Sequence, residues 1–223
     1  MIARVRSAFS DRRIAVVASL AILSLFVLAM MIARMLYTRM FEHTGIAWNL
    51  FLAWVPFVLA LVVYARARSG ISRATLLALA SLWLLFFPNA PYILTHLKHI
   101  GRGGGIPILY DVLLLSAAAW TGLLLGLVSL FLMHAVARRL LGVVVAWALV
   151  VGVLAASSFG IYLGRVQRWN SWDVFVRPGA LLGQIANGFH AAPLALTVLL
   201  TSFLLASYLV FYSFARMSAL IRD

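Results

Sequence analysis

Leu82-Trp83-Leu84-Leu85-Phe86-Phe87-Pro88-Asn89-Ala90-Pro91-Tyr92-Ile93-Leu94 is an apolar helical pattern interrupted twice by proline, with a single carboxamide between the breaks. A proline inside a helix removes the i to i−4 hydrogen bond and crowds the carbonyl four residues back. Pro88 therefore frees the carbonyl of Leu84, and Pro91 that of Phe87. Phe87 and Ala90, each preceding a proline, are expected to leave helical angles. The apolar run from Ala74 to Phe87 would rise only about 21 Å as a helix, less than the roughly 30 Å of a bilayer's hydrocarbon core. The break thus falls within a membrane or at its edge. Irregular backbone at that depth is stable only when buried in protein or facing a wet cavity, so other helices must gather around it.

The whole chain fits such a setting. Its 223 residues are 65% hydrophobic and 10% charged, with a mean hydropathy of +1.07. A soluble domain is about 45 to 50% apolar and about 25% charged, and an aqueous core of this size has no room for the excess. The absence of cysteine excludes disulfides, thiolate nucleophiles, iron–sulfur ligation and Cys-based zinc sites. A net charge of +13 would point a soluble chain to nucleic acid. Here the basic residues sit in short loops between apolar runs, a pattern that sets orientation and attracts anionic headgroups, so no nucleic-acid partner is expected.

The fold class expected is all-α: one polytopic bundle over residues 14–215, between a basic N-terminus (1–13) and a short C-terminus (216–223). Six spans are read at about 14–33, 47–65, 74–94, 108–134, 141–164 and 193–215, the third interrupted at Pro88 and Pro91. The first run is too long for a signal peptide and has no convincing cleavage site after it, so it is read as a retained span. Arg34 and Arg39 fall in the connector that follows. Pro56 should kink the second helix.

Orientation follows from alternate segments. Arg4, Arg6, Arg12, Arg13, Arg66, Arg68, Arg73, Arg138, Arg139, Arg216 and Arg222 fall on one side, and Arg34, Arg39, Lys98, Arg102, Arg165, Arg168 and Arg177 on the other. The richer side is cytoplasmic, which places both termini there. Asn49, the Pro-Asn-Ala-Pro break, Asp111 and the Arg165–Asp173 segment then share the outer side.

Two stripes of small residues prepare helix contacts. Ala148, Gly152, Ala156, Gly160 and Gly164 recur every four residues, and Ala118, Gly122 and Gly126 repeat the spacing on the fourth span. Such ridges let membrane helices approach closely. Asp111 lies within about 20° of Gly122 around that helix and is expected to face inward.

The chain has five acidic residues: Asp11, Glu42, Asp111, Asp173 and Asp223. A carboxylate at membrane depth is costly, which makes Asp111 and Asp173 the candidate acid or base groups, with arginines as counter-charges. Each also has a structural account, Asp111 as a helix-dipole partner after Pro107 and Asp173 as the acid of a weak capping box from Asn170. Arg165 and Arg168, a turn apart, carry forked donors suited to phosphate or carboxylate. Trp169 and Trp172 suit the headgroup layer, and the segment reads equally as an interfacial anchor. His96 and His99 are three apart but precede a glycine run and have no acid nearby, so neither a metal site nor a cofactor is expected.

Four strings carry a family resemblance: Trp48-Asn49-Leu50-Phe51-Leu52-Ala53-Trp54, Leu84-Leu85-Phe86-Phe87-Pro88-Asn89-Ala90-Pro91-Tyr92, Tyr110-Asp111 with Leu113-Leu114-Leu115, and Gly164-Arg165 with Arg168-Trp169-Asn170-Ser171-Trp172-Asp173. Over residues 40 to 215 the chain resembles the bacterial membrane family called domain of unknown function 1361. The resemblance implies a polytopic protein of the bacterial inner membrane and brings no established activity. His96 and Leu109 stand where that family's pattern carries an acid and an aromatic, which leaves no third carboxylate beside Asp111 and Asp173.

The expectation is therefore an outward-facing polar pocket of Asn49, Asn89, Tyr92, Asp111, Arg165, Arg168, Asn170 and Asp173 that binds an anionic lipid or lipid-linked headgroup. Three alternatives stay open: a small transporter using the interrupted helix, a membrane enzyme with Asp111 or Asp173 as acid or base, and an assembly partner joined to a second copy or another membrane protein through the small-residue ridges.

Overall fold

In hydrocarbon no water satisfies a main-chain N–H or C=O, so long apolar runs are restricted to helices whose bonds close internally. The computed structural model describes residues 2–41, 43–101, 105–166, 176–180, 183 and 191–220, and no strand occurs among them. The elements are α1 (Ile2–Thr38), α2 (Gly45–Arg66), α3 (Arg73–Phe86), α4 (Asn89–Tyr92), a 3-10 segment (Ile93–His99), α5 (Ile108–Leu141), α6 (Val143–Val166) and α7 (Ala191–Leu220). Six stretches are long and apolar enough to cross a membrane: Ile14–Thr38, Gly45–Ser69, Arg73–His99, Ile108–Leu141, Val143–Arg165 and Pro193–Met217. The protein is an all-α, multi-pass membrane bundle.

α5 is its axis. It packs on α1, α2, α4, the 3-10 segment, α6 and α7, whereas α7 leans chiefly on α6. Within their most apolar windows, 61% of α5 is buried against 11% of α7, which leaves α7 to face lipid along most of its length.

The first helix departs from the sequence reading. It does not stop near Ala33 but continues to Thr38, because Arg34, Met35 and Leu36 are good helix formers with no Gly or Pro among them. The turn comes at Arg39, whose φ of 58° lies in the left-handed region and whose N–H closes on Met35 O at 2.9 Å. Arg34 is thus a helix residue and not part of a connector.

The third span is interrupted where the prolines stand, but not by departure from helical angles. Phe87 keeps φ −55° and ψ −39°, and Pro88 keeps φ −57° and ψ −25°. What fails is the hydrogen-bond ladder. Ala90 N–H closes a tighter turn on Phe87 O at 3.1 Å, supplying the bond that Pro91 cannot, and the Asn89 amide donates to Phe86 O at 2.9 Å. The chain then winds as a 3-10 helix, which rises about 2.0 Å per residue where an α-helix rises about 1.5 Å. Together α3, α4 and the 3-10 segment reach about 40 Å, enough to cross the roughly 30 Å core that α3 alone cannot.

Glycines on the neighbouring helices seat this break. A methyl at Gly122 would lie 2.6 Å from Ala90 O and 2.9 Å from Ile93 Cδ1, and one at Gly126 would lie 3.3 Å from Ala90 Cβ. On α6, Gly160 faces Pro88 with 3.5 Å to its Cγ. The α6 ridge serves the bundle only in part, since Ala148, Gly152 and Ala156 are exposed and Gly152 has nothing within 4 Å. Deeper in the core, Trp83 Nε1 donates to Ser129 Oγ at 2.7 Å, and Ser129 in turn donates to Pro56 O at 3.0 Å. This stitch ties α3, α5 and the proline turn of α2 together.

Candidate functional site

The end of α1, the start of α2, the 3-10 segment, the start of α5 and the end of α6 meet at one end of the bundle. Two polar assemblies form there. The first is an ion pair: Arg34 Nε donates to Asp111 Oδ1 at 2.7 Å, and Nη2 donates to Oδ2 at 3.3 Å. The side chains are 0% and 3% exposed, so the pair is bidentate and dry. Beside it the Tyr110 hydroxyl donates to Met30 O at 2.7 Å, a second tie from α5 to α1.

The second assembly is built on Arg165, in the last turn of α6. Its Nη2 donates to Thr95 O at 3.0 Å and contacts His99 Nε2 at 2.9 Å; its Nη1 reaches the Tyr92 hydroxyl oxygen at 3.5 Å. The guanidinium carbon stands 5.7 Å from the centre of the Tyr92 ring. Its buried Nε makes no hydrogen bond among the described residues. His96 lies 6.3 Å from Tyr92 and 5.9 Å from His99, ring centre to ring centre, and the Asn49 amide donates to its Nε2 at 2.8 Å. Among the described residues, Arg165, His99, His43 and Lys98 are the charged or chargeable groups near enough to act on His96. None is an acid.

Local sequence explains the grouping. Tyr92, His96 and His99 are four and three residues apart on one continuous helical stretch, which sets their rings side by side. Gly45, at the start of α2, lies beside His96, whose Cε1 would make only an ordinary contact of 3.9 Å with a methyl there.

The structure thus brings together Asn49, Tyr92 and Arg165 from the expected pocket and adds His96 and His99, which the sequence reading had set aside as a weak metal pair. The missed signal was their four-then-three register with Tyr92. Asn89 serves the helix break, donating to Phe86 O. Asp111 meets Arg34, one of the arginines expected in general as counter-charges. Arg34 reads in the sequence as part of a connector, whereas the structure carries it inside α1. Arg168, Asn170 and Asp173 lie outside the described residues. Among the described residues no three His, Cys, Asp or Glu side chains gather as metal ligands do.

A family model described as "Protein of unknown function (DUF1361)" matches residues 48–207. The chain belongs to that family. The matched region begins inside α2 and ends inside α7, includes the proline break, Asp111 and Arg165, and leaves out α1 with its Arg34. Neither a curated protein nor a solved structure matches the chain.

Proposed function

We propose that the Arg165 end of this membrane protein binds an anionic group, the phosphate of a lipid or lipid-linked headgroup, with Asn49, Tyr92, His96 and His99 shaping the site and Arg168, Asn170 and Asp173 completing it. One observation carries the reading: a part-buried guanidinium with an unpartnered Nε, set among imidazoles and a phenol, meets no carboxylate among the described residues. Burying a cation without a counter-charge is costly, and a phosphate oxygen would relieve that cost while accepting from the fork. On this reading both termini are cytoplasmic and the site faces the outer leaflet of the bacterial inner membrane.

Asp111 is then a structural anchor for α1, because both of its carboxylate oxygens accept from the Arg34 guanidinium. The transporter alternative loses support from the break itself. Ala90 and Pro91 are buried against Gly122 and Gly126, where a conduction path would need a wetted wall.

The test is binding of phosphatidylglycerol and of a lipid-linked phosphate to purified full-length protein, read by native mass spectrometry. Arg165→Ala should weaken the interaction about tenfold, the value of one charge-assisted hydrogen bond of about 1.4 kcal/mol or more. Undiminished binding would defeat the proposal.

A further inference from the structure

At the opposite end of the bundle, two guanidinium groups converge on one phenol oxygen. Arg138, near the end of α5, donates from Nη1 to the Tyr212 hydroxyl oxygen at 2.6 Å. Arg216, one turn beyond Tyr212 on α7, donates from its Nη1 to the same oxygen at 3.3 Å, with its guanidinium carbon 5.6 Å from the ring centre. The two Nη1 atoms are separated by no more than those two bonds laid end to end, about 6 Å. No carboxylate meets either guanidinium among the described residues.

The phenol oxygen accepts from both guanidinium groups, and among the described residues its hydroxyl donates no hydrogen bond. Tyr212 is held in place by a stack on His134 at 5.4 Å and an edge contact with Trp147 at 5.1 Å. Two like charges drawn to one point repel each other, and a single phenol oxygen is the acceptor they share. The chemistry left wanting is that of an anion with several oxygens.

We infer that Arg138, Arg216 and Tyr212 form a second anion site, occupied by the phosphate of an anionic phospholipid in the leaflet at this end. A lipid phosphate is favoured over a soluble one by depth and by neighbours. Tyr212 and Arg216 close the last apolar span, Pro193–Met217, at headgroup level, and Phe214 and Met217 beside them are 63% and 48% exposed. Those side chains need acyl chains against them. The site shares no residue with the Arg165 cluster and stands or falls apart from it.

The experiment titrates phosphatidylglycerol against phosphatidylcholine on the full chain by native mass spectrometry, in an Arg165→Ala background that silences the other end. The double change Arg138→Gln with Arg216→Gln should lower phosphatidylglycerol occupancy about tenfold, and Tyr212→Phe about threefold. Arg73→Gln, an exposed arginine on a different helix, should leave it unchanged. Arg216 is exposed, so Arg216→Gln alone keeps the fold if the double change does not, and a threefold loss is expected of it. Unaltered occupancy in Arg216→Gln and Tyr212→Phe overturns the inference. So does an equal loss in Arg73→Gln, which would mark a diffuse basic belt, or displacement of the lipid by millimolar inorganic phosphate.

Discussion

Changing Arg34 to methionine keeps an unbranched apolar stem and removes the guanidinium, stranding Asp111 where only 2% of its surface is exposed. Two bonds to a charged group are lost, at 2.7 and 3.3 Å, each worth about 1.5 to 3 kcal/mol. Leaving one member of a buried pair alone costs about 3 to 5 kcal/mol, so the two routes to the magnitude agree. For a chain of this size each kcal/mol moves a thermal midpoint by about 2 to 4 °C, which gives a fall of about 10 °C. The double variant, Arg34→Met with Asp111→Leu, should regain most of this loss, because an apolar pair of similar volume carries no desolvation penalty. Tryptophan fluorescence in one fixed detergent is a suitable assay, since Trp54 donates to Ser24 of α1 at 3.1 Å and reports whether that helix stays docked. Single variants each losing less than about 1 kcal/mol, or a double variant losing the sum of both, would refute a dry, coupled pair.

Two further outcomes follow from the packing and the orientation. Gly122→Ala should destabilise by about 1 to 3 kcal/mol, because its methyl meets the Ala90 carbonyl at 2.6 Å, while Gly152→Ala, with nothing within 4 Å, should be neutral or slightly stabilising in the same denaturation assay. In this cysteine-free chain, His99→Cys should react with a membrane-impermeant maleimide from outside the cell, and Arg68→Cys only after permeabilisation; the reverse pattern would invert the proposed orientation.

The helical class was legible because apolar runs of this length have few other solutions, and the third-span interruption because Pro88 and Pro91 each delete a ladder bond. The inward face of Asp111 was legible from its register with Gly122. Which arginine would answer it was not. Arg34 reads as the first residue of a connector when a span is ended by charge alone, yet a long apolar helix can carry one arginine inward if an acid waits on a neighbour. The expectation for Phe87 failed on a related ground, as tertiary seating outweighed the local preference of a residue before proline. His96 and His99 were weighed as metal ligands, which need a third donor. Their register with Tyr92 stands in the sequence, but Arg165's arrival from a helix about 70 residues later becomes visible only in three dimensions.

The Arg34–Asp111 pair has a consequence for biogenesis. The two residues are 77 positions apart in the chain, so at about 5 to 20 residues per second the ribosome makes the arginine about 4 to 15 s before the aspartate exists. Through that interval Arg34 lacks its Asp111 partner. The tie between α1 and α5 closes only once α5 has been made, so a contact of an early helix is completed late.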